Sequence, residues 1–345
     1  MLTLNQATGM TKKIATWIGI ILGTLIALII LFRIGVLIKN IIAPTPPAPP
    51  TVAFGKLPEI TLPANLDNKN YIYIIDTVTG ELPKFPDRAK VFKVIPISTD
   101  LLALKRASQE VAQVGFTNGP ARVKENIYQW NDPRSQIGRR INFDIFSSEF
   151  NISSEFFNDP VIQSGANLPS PDEAKNLAQN FLSSMAILPD DIKTTNFYYF
   201  SIQNSQLTSV NSFGDAQIIE IDFSQNDLDN LPIYYPRPYN STMSIFIGGG
   251  ENQPQILQAQ YFHQKVSTES ATYPIKTAQI AFSELKEGKA YIASPGKDEV
   301  SLQNISLAYY MSDKAQNYVM PIVVFQGDNG FIAYLSAVKD AWISK

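Results

Sequence analysis

One uninterrupted apolar run near the start of the chain constrains its fold most. Residues 14–32 read IATWIGIILGTLIALIILF, 19 residues without a charge. At about 1.5 Å per residue, a helix over this run spans about 28 Å, close to the hydrocarbon thickness of a bilayer. Twelve of the residues are Ile, Leu or Phe, which favour insertion into lipid. The run therefore predicts a single transmembrane helix, which we assign to residues 14–38.

The charges that flank this run bear on its orientation. Lys12 and Lys13 precede it, and Arg33 and Lys39 follow it, so the positive-inside rule is nearly balanced. The short tail 1–13 with its free amino group is typical of a cytoplasmic stub, which places the C-terminal part outside. A buried core helix and a cleaved signal peptide are the alternatives. Core helices rarely lack a polar face for so long, and no A-x-A cleavage site follows.

A proline-rich segment comes next. Residues 44–50 read PTPPAPP, which favours a polyproline-II spacer of about 20 Å. Its place directly after the apolar run indicates a stalk, within a linker at 39–59, and an SH3-type ligand is the alternative.

The net charge and the absence of cysteine exclude several classes of site. The whole chain carries −3 and its first 50 residues carry +4, so the remainder carries −7. An acidic remainder argues against nucleic-acid binding, which needs clustered Lys and Arg. Without cysteine the chain has no disulfide, no thiolate nucleophile and no zinc–sulfur site.

Beyond residue 60 the pattern alternates single helices with runs of strands. The first predicted helix is capped by Thr99 or Asp100 and runs to about Val114, burying Leu101, Leu104, Ala107, Val111 and Ala112. A second starts at Pro171, since Ser170 and Glu173 form a capping box. A third opens at Tyr273-Pro274 and ends at Gly288. The predicted strands are Tyr71–Ile75, Val91–Ile97, Val123–Trp130, Arg139–Phe146, Asn196–Ile202, Ala216–Phe223, Thr242–Ile247, Ile256–Val266, Ser301–Met311, Tyr318–Phe325 and Phe331–Val338, with a tight turn at Asp328-Asn329-Gly330.

This order predicts an α+β fold. Two or three modules, each a helix packed on a curved antiparallel sheet, follow the membrane helix. The predicted domains are a first module at 60–168 and a second α+β region at 169–345, with a further split near 270.

Three short patterns resemble a known family. Ala103, Ala107 and Gly115-Phe116 followed by strands, together with YIYIIDTVTGEL at 71–82, are similar to PepSY-type modules. The helix 277–285 and the segment 307–338 resemble the C-terminal part of YycI-like membrane-anchored accessory proteins of sensor kinases. The resemblance implies a non-catalytic regulatory or inhibitory ectodomain outside the cytoplasm.

Several residues could carry chemistry, and each has a structural alternative. His263 is the only histidine, and a lining residue of a strand is favoured over a catalytic base or metal ligand. Gly248-Gly249-Gly250 lacks the Lys-Ser/Thr of a phosphate loop, which favours a hairpin. Glu220 and Asp222 share one face of a strand, as glycosidase carboxylates would, although solvated faces explain most such pairs.

Two stretches remain as candidate binding sites. Asp227 and Asp229 are a weak candidate for a metal site, with an Asx-rich turn as the alternative. Aromatic, proline and arginine residues at 234–239 are a candidate partner-binding ridge, with a rigid loop as the alternative. The predicted partner-binding residues are Tyr234, Tyr235, Arg237 and Tyr239.

These observations predict a single-pass membrane protein whose α+β ectodomain is not an enzyme. It binds or regulates another envelope protein or senses an extracellular ligand, contacts the bilayer through residues 14–38, and needs no cofactor. The alternatives are an exported cell-wall hydrolase that uses carboxylates or a bound cation, and a scaffold within an envelope assembly. A cleft with converging, perturbed acids favours the hydrolase, and an apolar surface patch at 234–239 favours the binding protein.

Overall fold

A computed structural model describes residues 17, 23–33, 50–65, 69–238 and 240–344, with the backbone alone at Thr194. The chain divides into two units, Met1–Pro49 and Pro50–Lys345. In the first unit residue 17 is helical and residues 23–33 form helix α1 with exposed side chains. The described residues contain no helix with the length and apolar character that a membrane span requires. The rest of the predicted span 14–38, the tail 1–13 and linker residues 39–49 lie outside the described residues, so the transmembrane helix stays a prediction.

The second unit has an α+β fold, as predicted, with large and mainly antiparallel sheets and few helices. Its helices are α2 (Ala103–Gln113), α3 (Pro160–Ser164), α4 (Pro171–Ser184) and α5 (Ala278–Lys286). Its strands are β1 (Ile72–Ile75), β2 (Arg88–Val94), β3 (Asn118–Arg122), β4 (Ile127–Asn131), β5 (Arg140–Asp144), β6 (Phe150–Ser153), β7 (Ile192–Gln203), β8 (Gln206–Val210), β9 (Ile218–Gln225), β10 (Ile233–Tyr234), β11 (Met243–Gly248), β12 (Gln255–Tyr261), β13 (Val266–Pro274), β14 (Tyr291–Ser294), β15 (Glu299–Tyr310), β16 (Tyr318–Gly327) and β17 (Ile332–Ser336).

A nine-stranded sheet forms the middle of the chain. Its order is β3-β4-β5-β6-β12-β11-β9-β7-β8, with every neighbouring pair antiparallel. Helices α2 and α4 cover one face, where Ala107 and Val111 of α2 and Phe181 of α4 join the largest apolar cluster. The period of two along each strand sends alternate residues to the opposite face.

An eight-stranded sheet joins the two ends of the unit. Its main path is β1-β15-β16-β17-β14, while β10 pairs with β15 and β2 bridges β13 and β16. Strands β1 and β10 run parallel to β15, and the other pairs are antiparallel. Strand β16 is buried on both faces through most of its length. Both sheets take strands from either side of residue 168, and the division into modules stays a prediction.

Local sequence signals account for several element boundaries. The Ser170 side chain accepts from the Glu173 amide while Glu173 accepts from the Ser170 amide, which confirms the capping box of α4. Strands β4 and β5 form the predicted antiparallel pair. The turn between β16 and β17 has Asn329 and Gly330 at φ of 52° and 75°. Asn and Gly adopt this left-handed region at low cost, which confirms the predicted hairpin.

Two helix predictions are wrong at their starts. Helix α2 begins at Ala103 without a side-chain cap, and the predicted core residue Leu101 is fully exposed in the turn before it. Asp100 instead accepts from the Leu102 amide. Helix α5 begins at Ala278 behind the Thr277 cap. Tyr273 and Pro274 belong to strand β13, because that segment pairs with β2 and buries Tyr273.

Candidate functional site

Two buried acids lie side by side on the face of the nine-stranded sheet that points away from α2 and α4. Ile219, Ile221 and Phe223 of β9 point into the helix-covered core. Glu220 and Asp222 therefore point to the other face, with Glu220 at 5% exposure and Asp222 at 0%. Carboxyl groups are almost never this buried unless they are paired or hydrogen-bonded, so their surroundings need an account.

The Asp222 carboxylate is hydrogen-bonded to the start of β11. Ser241 donates to it from its amide, at 2.8 Å, and from its hydroxyl, at 3.0 Å. Burial raises the pKa of Asp222 to about 6, and the two bonds from Ser241 act against that rise. Asp222 thus holds the segment before β11 down on the sheet.

Glu220 is the more perturbed of the two acids. Burial and the neighbouring Asp222 charge raise its pKa to about 7, while the Arg237 guanidinium and a hydrogen bond from the Asn240 side chain lower it. Its cross-strand neighbours are Tyr198 on β7 and Phe246 on β11. A carboxyl with this pKa exchanges its proton near neutral pH, which is where acid–base catalysis or a pH-sensitive contact would operate.

Glu220 opens onto a cavity of about 310 Å³. Arg237 and Asn240 border it on the side of the covering segment, and Asp313 borders it from the loop after β15. The rest of its lining is mainly amide and hydroxyl groups, from Asn151, Ser153, Ser241, Thr242, Ser244, Gln258 and Gln260. A second cavity of about 300 Å³ adjoins it, since Asn240 and Ser241 also line that one, together with Asp222. The two linings together offer many hydrogen bonds around one cation and three carboxyl groups.

The four predicted partner-binding residues have different positions. Tyr234 lies in β10, accepts from Gln326 at 3.2 Å and packs edge-on against Tyr334. Tyr235 is buried, and its hydroxyl accepts from the Gln225 amide at 3.1 Å. Arg237 is exposed at the rim of the 310 Å³ cavity. Tyr239 lies outside the described residues. Arg237 is therefore the member of the set whose accessibility suits partner binding, which itself stays a prediction.

The two weak metal candidates each pair with a different lysine. Asp227 pairs with Lys193 at 2.6 Å, and Asp229 pairs with Lys90 at 2.6 Å. Asp229 and Asn230 have φ of 51° and 63° in a tight turn closed by Leu228 and Leu231. No group of three or more His, Asp or Glu that could hold a metal ion occurs in the part of the chain that the structure describes.

The single histidine has an acidic partner that sequence reasoning missed. His263 Nε2 lies 2.8 Å from Asp191 Oδ1, and Gln225 Nε2 donates to Asp191 Oδ2 at 2.9 Å. His263 follows β12 and Asp191 precedes β7, so their 72-residue separation hid the pair. Burial raises the pKa of Asp191, but the bonds from His263 and Gln225 prevail and lower it. Gln225 also donates to the Gln264 carbonyl, so the cluster ties three segments together.

The sequence carried a partial signal for the acid pair. Glu220 and Asp222 interrupt a strand of Ile and Phe residues, which marks them as unusual, and their shared face follows from the period of two. Their burial does not follow from it, because it depends on residues 236–238, 240 and 241, which cover the two carboxyl groups. Asn240 and Asp313 had no local pattern that would connect them with β9.

Comparisons with known proteins do not identify a family or a function for this chain. No family model and no curated protein matches the sequence. An uncharacterised protein from Eubacterium rectale aligns with 79% of this chain and 90% of its own, with a TM-score of 0.36 and 14% identity. The YpeB C-terminal domain from Bacillus megaterium aligns with 71% of this chain and 95% of its own, with a TM-score of 0.30 and 10% identity. Scores of this size do not establish a shared fold, so function has to be inferred from the chain's own residues.

Proposed function

We propose that this chain is a membrane-anchored binding or regulatory protein whose ectodomain acts on another envelope protein. The observation that carries the proposal is the 310 Å³ cavity with Arg237 at its rim and Glu220 in its wall. Its amides and hydroxyls both donate and accept, so they suit a partner segment rich in peptide groups and polar side chains. A carboxylate of that segment would pair with Arg237.

Both acids of the site already have structural partners, which favours binding over catalysis. Asp222 is enclosed by Ser241 and has no exposed surface. The Asn240 side chain donates to Glu220, so the same short segment rests on both carboxyl groups. A partner that contacts Arg237 or Asn240 would shift this segment, and the two acids would respond to the shift through their hydrogen bonds.

The anchor and the topology are part of the proposal. The apolar run 14–32 supports a helix through the membrane at 14–38, and the short tail supports a cytoplasmic N-terminus. The proline-rich run 44–50, within the linker 39–59, would then serve as a stalk after the membrane helix. PepSY-like modules remain part of this proposal, on the sequence patterns that suggested them.

The test is a pull-down of the full-length chain from gently solubilised membranes, comparing the wild type with Arg237→Ala. Arg122→Ala is the matched control, since Arg122 is an exposed arginine on the edge strand β3, away from the cavity. We expect a stoichiometric membrane partner that the wild type and Arg122→Ala retain and Arg237→Ala loses. Equal retention by all three forms would refute the assignment to this cavity, and no partner with any form would refute the binding function.

Hydrolysis of an envelope glycan or peptide is a second candidate, favoured by one observation. Glu220, whose pKa is raised to about 7, and the exposed Asp313 line the same cavity. Two carboxyl groups in one cavity, one of them with a raised pKa, resemble the arrangement of glycosidases. If the purified protein releases fragments from cell walls, Glu220→Gln should lower the rate by about 10²-fold or more. Glu110→Gln, at a carboxyl with raised pKa on α2, should leave the rate unchanged.

A further inference from the structure

A larger cavity lies on the opposite, helix-covered side of the nine-stranded sheet. It has a volume of about 590 Å³, within the range typical of small-molecule sites. Four parts of the chain enclose it, namely the turn 114–115 after α2, the loop 132–139, the C-terminal half of α4 and the hairpin between β11 and β12. Neither the acid pair nor Arg237 lines it, so it is separate from the site described above.

The glycine run 248–250 shapes one wall of this cavity. A Cβ atom on Gly249 would collide with the Ala166 backbone, and one on Gly250 would collide with the Gln253 backbone. Asn167 Nδ2 donates to the Gly250 carbonyl at 2.9 Å, and Gln255 Nε2 donates to the Gly249 carbonyl at 3.3 Å. The run therefore forms the predicted hairpin between β11 and β12. Asn252 and Gln253, at the tip of this hairpin, line the cavity.

A charged pair is built into the opposite wall. Arg139 Nη2 lies 3.1 Å from Asp132 Oδ2, and the two side chains are only 13% and 11% exposed. Arg139 also donates to the Ile256 and Val114 carbonyls and lies over the Phe116 ring. Its Nε is buried with no hydrogen-bond partner among the residues described, which is rare in folded proteins. These contacts fix the position of Arg139 in the wall.

The charges around this cavity balance. Arg134 and Arg139 are matched by Asp132 and Glu251, so the lining favours neither an anion nor a cation. Most of the remaining polar groups are carboxamides and hydroxyls, from Ser135, Gln136, Asn180, Ser184, Asn252, Gln253 and Gln255. Each of these side chains both donates and accepts, which matches a ligand whose hydroxyls do the same.

The apolar part of the lining is small and includes an aromatic edge. Leu177 and Phe181 of α4 contribute it on one side, and Ile256 contributes on the other. A sugar ring has polar hydroxyls on its rim and apolar C–H faces, and such a face packs on an aromatic ring. We propose that this cavity binds a neutral oligosaccharide, with Asn180 and Gln253 among the side chains that contact its hydroxyls.

The test measures binding to the full-length chain in detergent by calorimetry. The probes are chitotetraose, cellotetraose, maltotetraose and mannotetraose, which are neutral and differ in linkage and substituents. We expect at least one to bind, and we expect Asn180→Ala combined with Gln253→Ala to weaken that binding about tenfold or more, as the loss of two hydrogen bonds implies. Both side chains are exposed at the rim, so the double variant should fold normally.

The matched control is Asn176→Ala, one helical turn earlier on α4, exposed and outside the cavity lining. It should bind like the wild type. Failure of all four probes to bind would overturn the proposal, and so would binding that the double variant leaves unchanged. Loss of the envelope partner in the Arg237→Ala experiment has no bearing on this outcome, because the two cavities share no lining residue.

Discussion

Two regions of the second unit bury carboxyl groups and neutralise them differently. Beside the eight-stranded sheet, Glu284 lies 2.7 Å from Lys276 Nζ, with side-chain exposures of 11% and 7%. Asp340 approaches the same amine at 2.8 Å from the surface. On the nine-stranded sheet, no lysine among the described residues lines the cavities beside Glu220 and Asp222. They rely on Ser241, on Asn240 and on the charge of the exposed Arg237.

The difference separates a structural site from a titratable one. The main effect of a buried ion pair with good geometry is that removing one partner is costly. Burial instead raises the pKa values of Glu220 and Asp222 and so favours their protonated forms, and their hydrogen bonds from neutral groups only partly offset this rise. The protonation of Glu220 and Asp222 therefore responds to pH, or to a bound ligand, near neutrality. This agrees with the position of the pair beside a cavity.

The largest expected effect comes from breaking the paired site. Lys276→Met leaves Glu284 buried without a counter-charge and should lower the free energy of unfolding by about 3–5 kcal/mol. Urea denaturation followed by tryptophan fluorescence measures this. Lys289→Met is the control, because Lys289 and its partner Glu287 are both more than half exposed, and we expect no measurable change.

A further variant separates lost pairing from general damage to the core. Replacing both partners, Lys276→Met with Glu284→Leu, removes the stranded charge and should recover most of the lost stability. If the double variant is as unstable as Lys276→Met, the uncompensated charge of Glu284 is not the cause of the lost stability.

The acid pair should reveal itself in the pH dependence of stability. The pKa of Glu220 is about 7 in the folded chain, above its ordinary 4.5, so the folded state binds a proton that the unfolded state has released. Stability from Glu220 is therefore full below about pH 4.5 and falls as the pH rises through 7, by roughly 2–3 kcal/mol in all. Glu220→Gln should flatten this slope, as measured by denaturation from pH 5 to 8.

Glu299→Gln provides the comparison for this slope, since Glu299 is an exposed carboxyl at the start of β15. It should keep the wild-type pH dependence. An unchanged slope in Glu220→Gln would mean that Glu220 is ionised throughout and that the two regions do not differ in the way proposed.

Asp191 should show the opposite sign with a smaller amplitude. Its pKa is lowered below 3.8, because the bonds from His263 and Gln225 outweigh burial. Its stabilisation is present above that value and disappears as the pH falls through the folded-state pKa. Asp191→Asn should cost about 1–2 kcal/mol at pH 7. The difference from the wild type should shrink on acidification, and a difference that grows would contradict the assignment.

Much of the local structure could be predicted because it rests on neighbouring residues. The α4 capping box needs only Ser170 and Glu173, and the β16–β17 turn needs only Asn329 and Gly330. The sequence predicts the start of α5 too early, because Tyr273 is apolar and precedes a proline. In the structure Tyr273 lies in β13 and pairs with strand β2. Sequence spacing cannot report a pairing partner more than 170 residues away.

The candidate site shows the same limit. That Glu220 and Asp222 share a face follows from the strand period, but their burial depends on residues 236–238, 240 and 241, which cover them. The sequence predicts a partner-binding ridge at Tyr234 and Tyr235, because aromatic residues are common in interfaces. Their real contacts, with Gln326 and the Gln225 amide, come from separate strands.

The smallest expected effect concerns the exposed aspartates at 227 and 229. Each has its own lysine, Lys193 on β7 and Lys90 on β2, and all four side chains are about a third or more exposed. Exposed pairs contribute about 0–1 kcal/mol, so Lys193→Met should change stability within that range. Because the two carboxylates point to different lysines, CaCl₂ should leave the thermal midpoint where MgCl₂ of equal ionic strength leaves it. A rise with calcium alone, abolished by Asp227→Ala, would establish the metal site that the oxygen-rich turn suggested and would place a third kind of carboxylate beside the paired and the titratable ones.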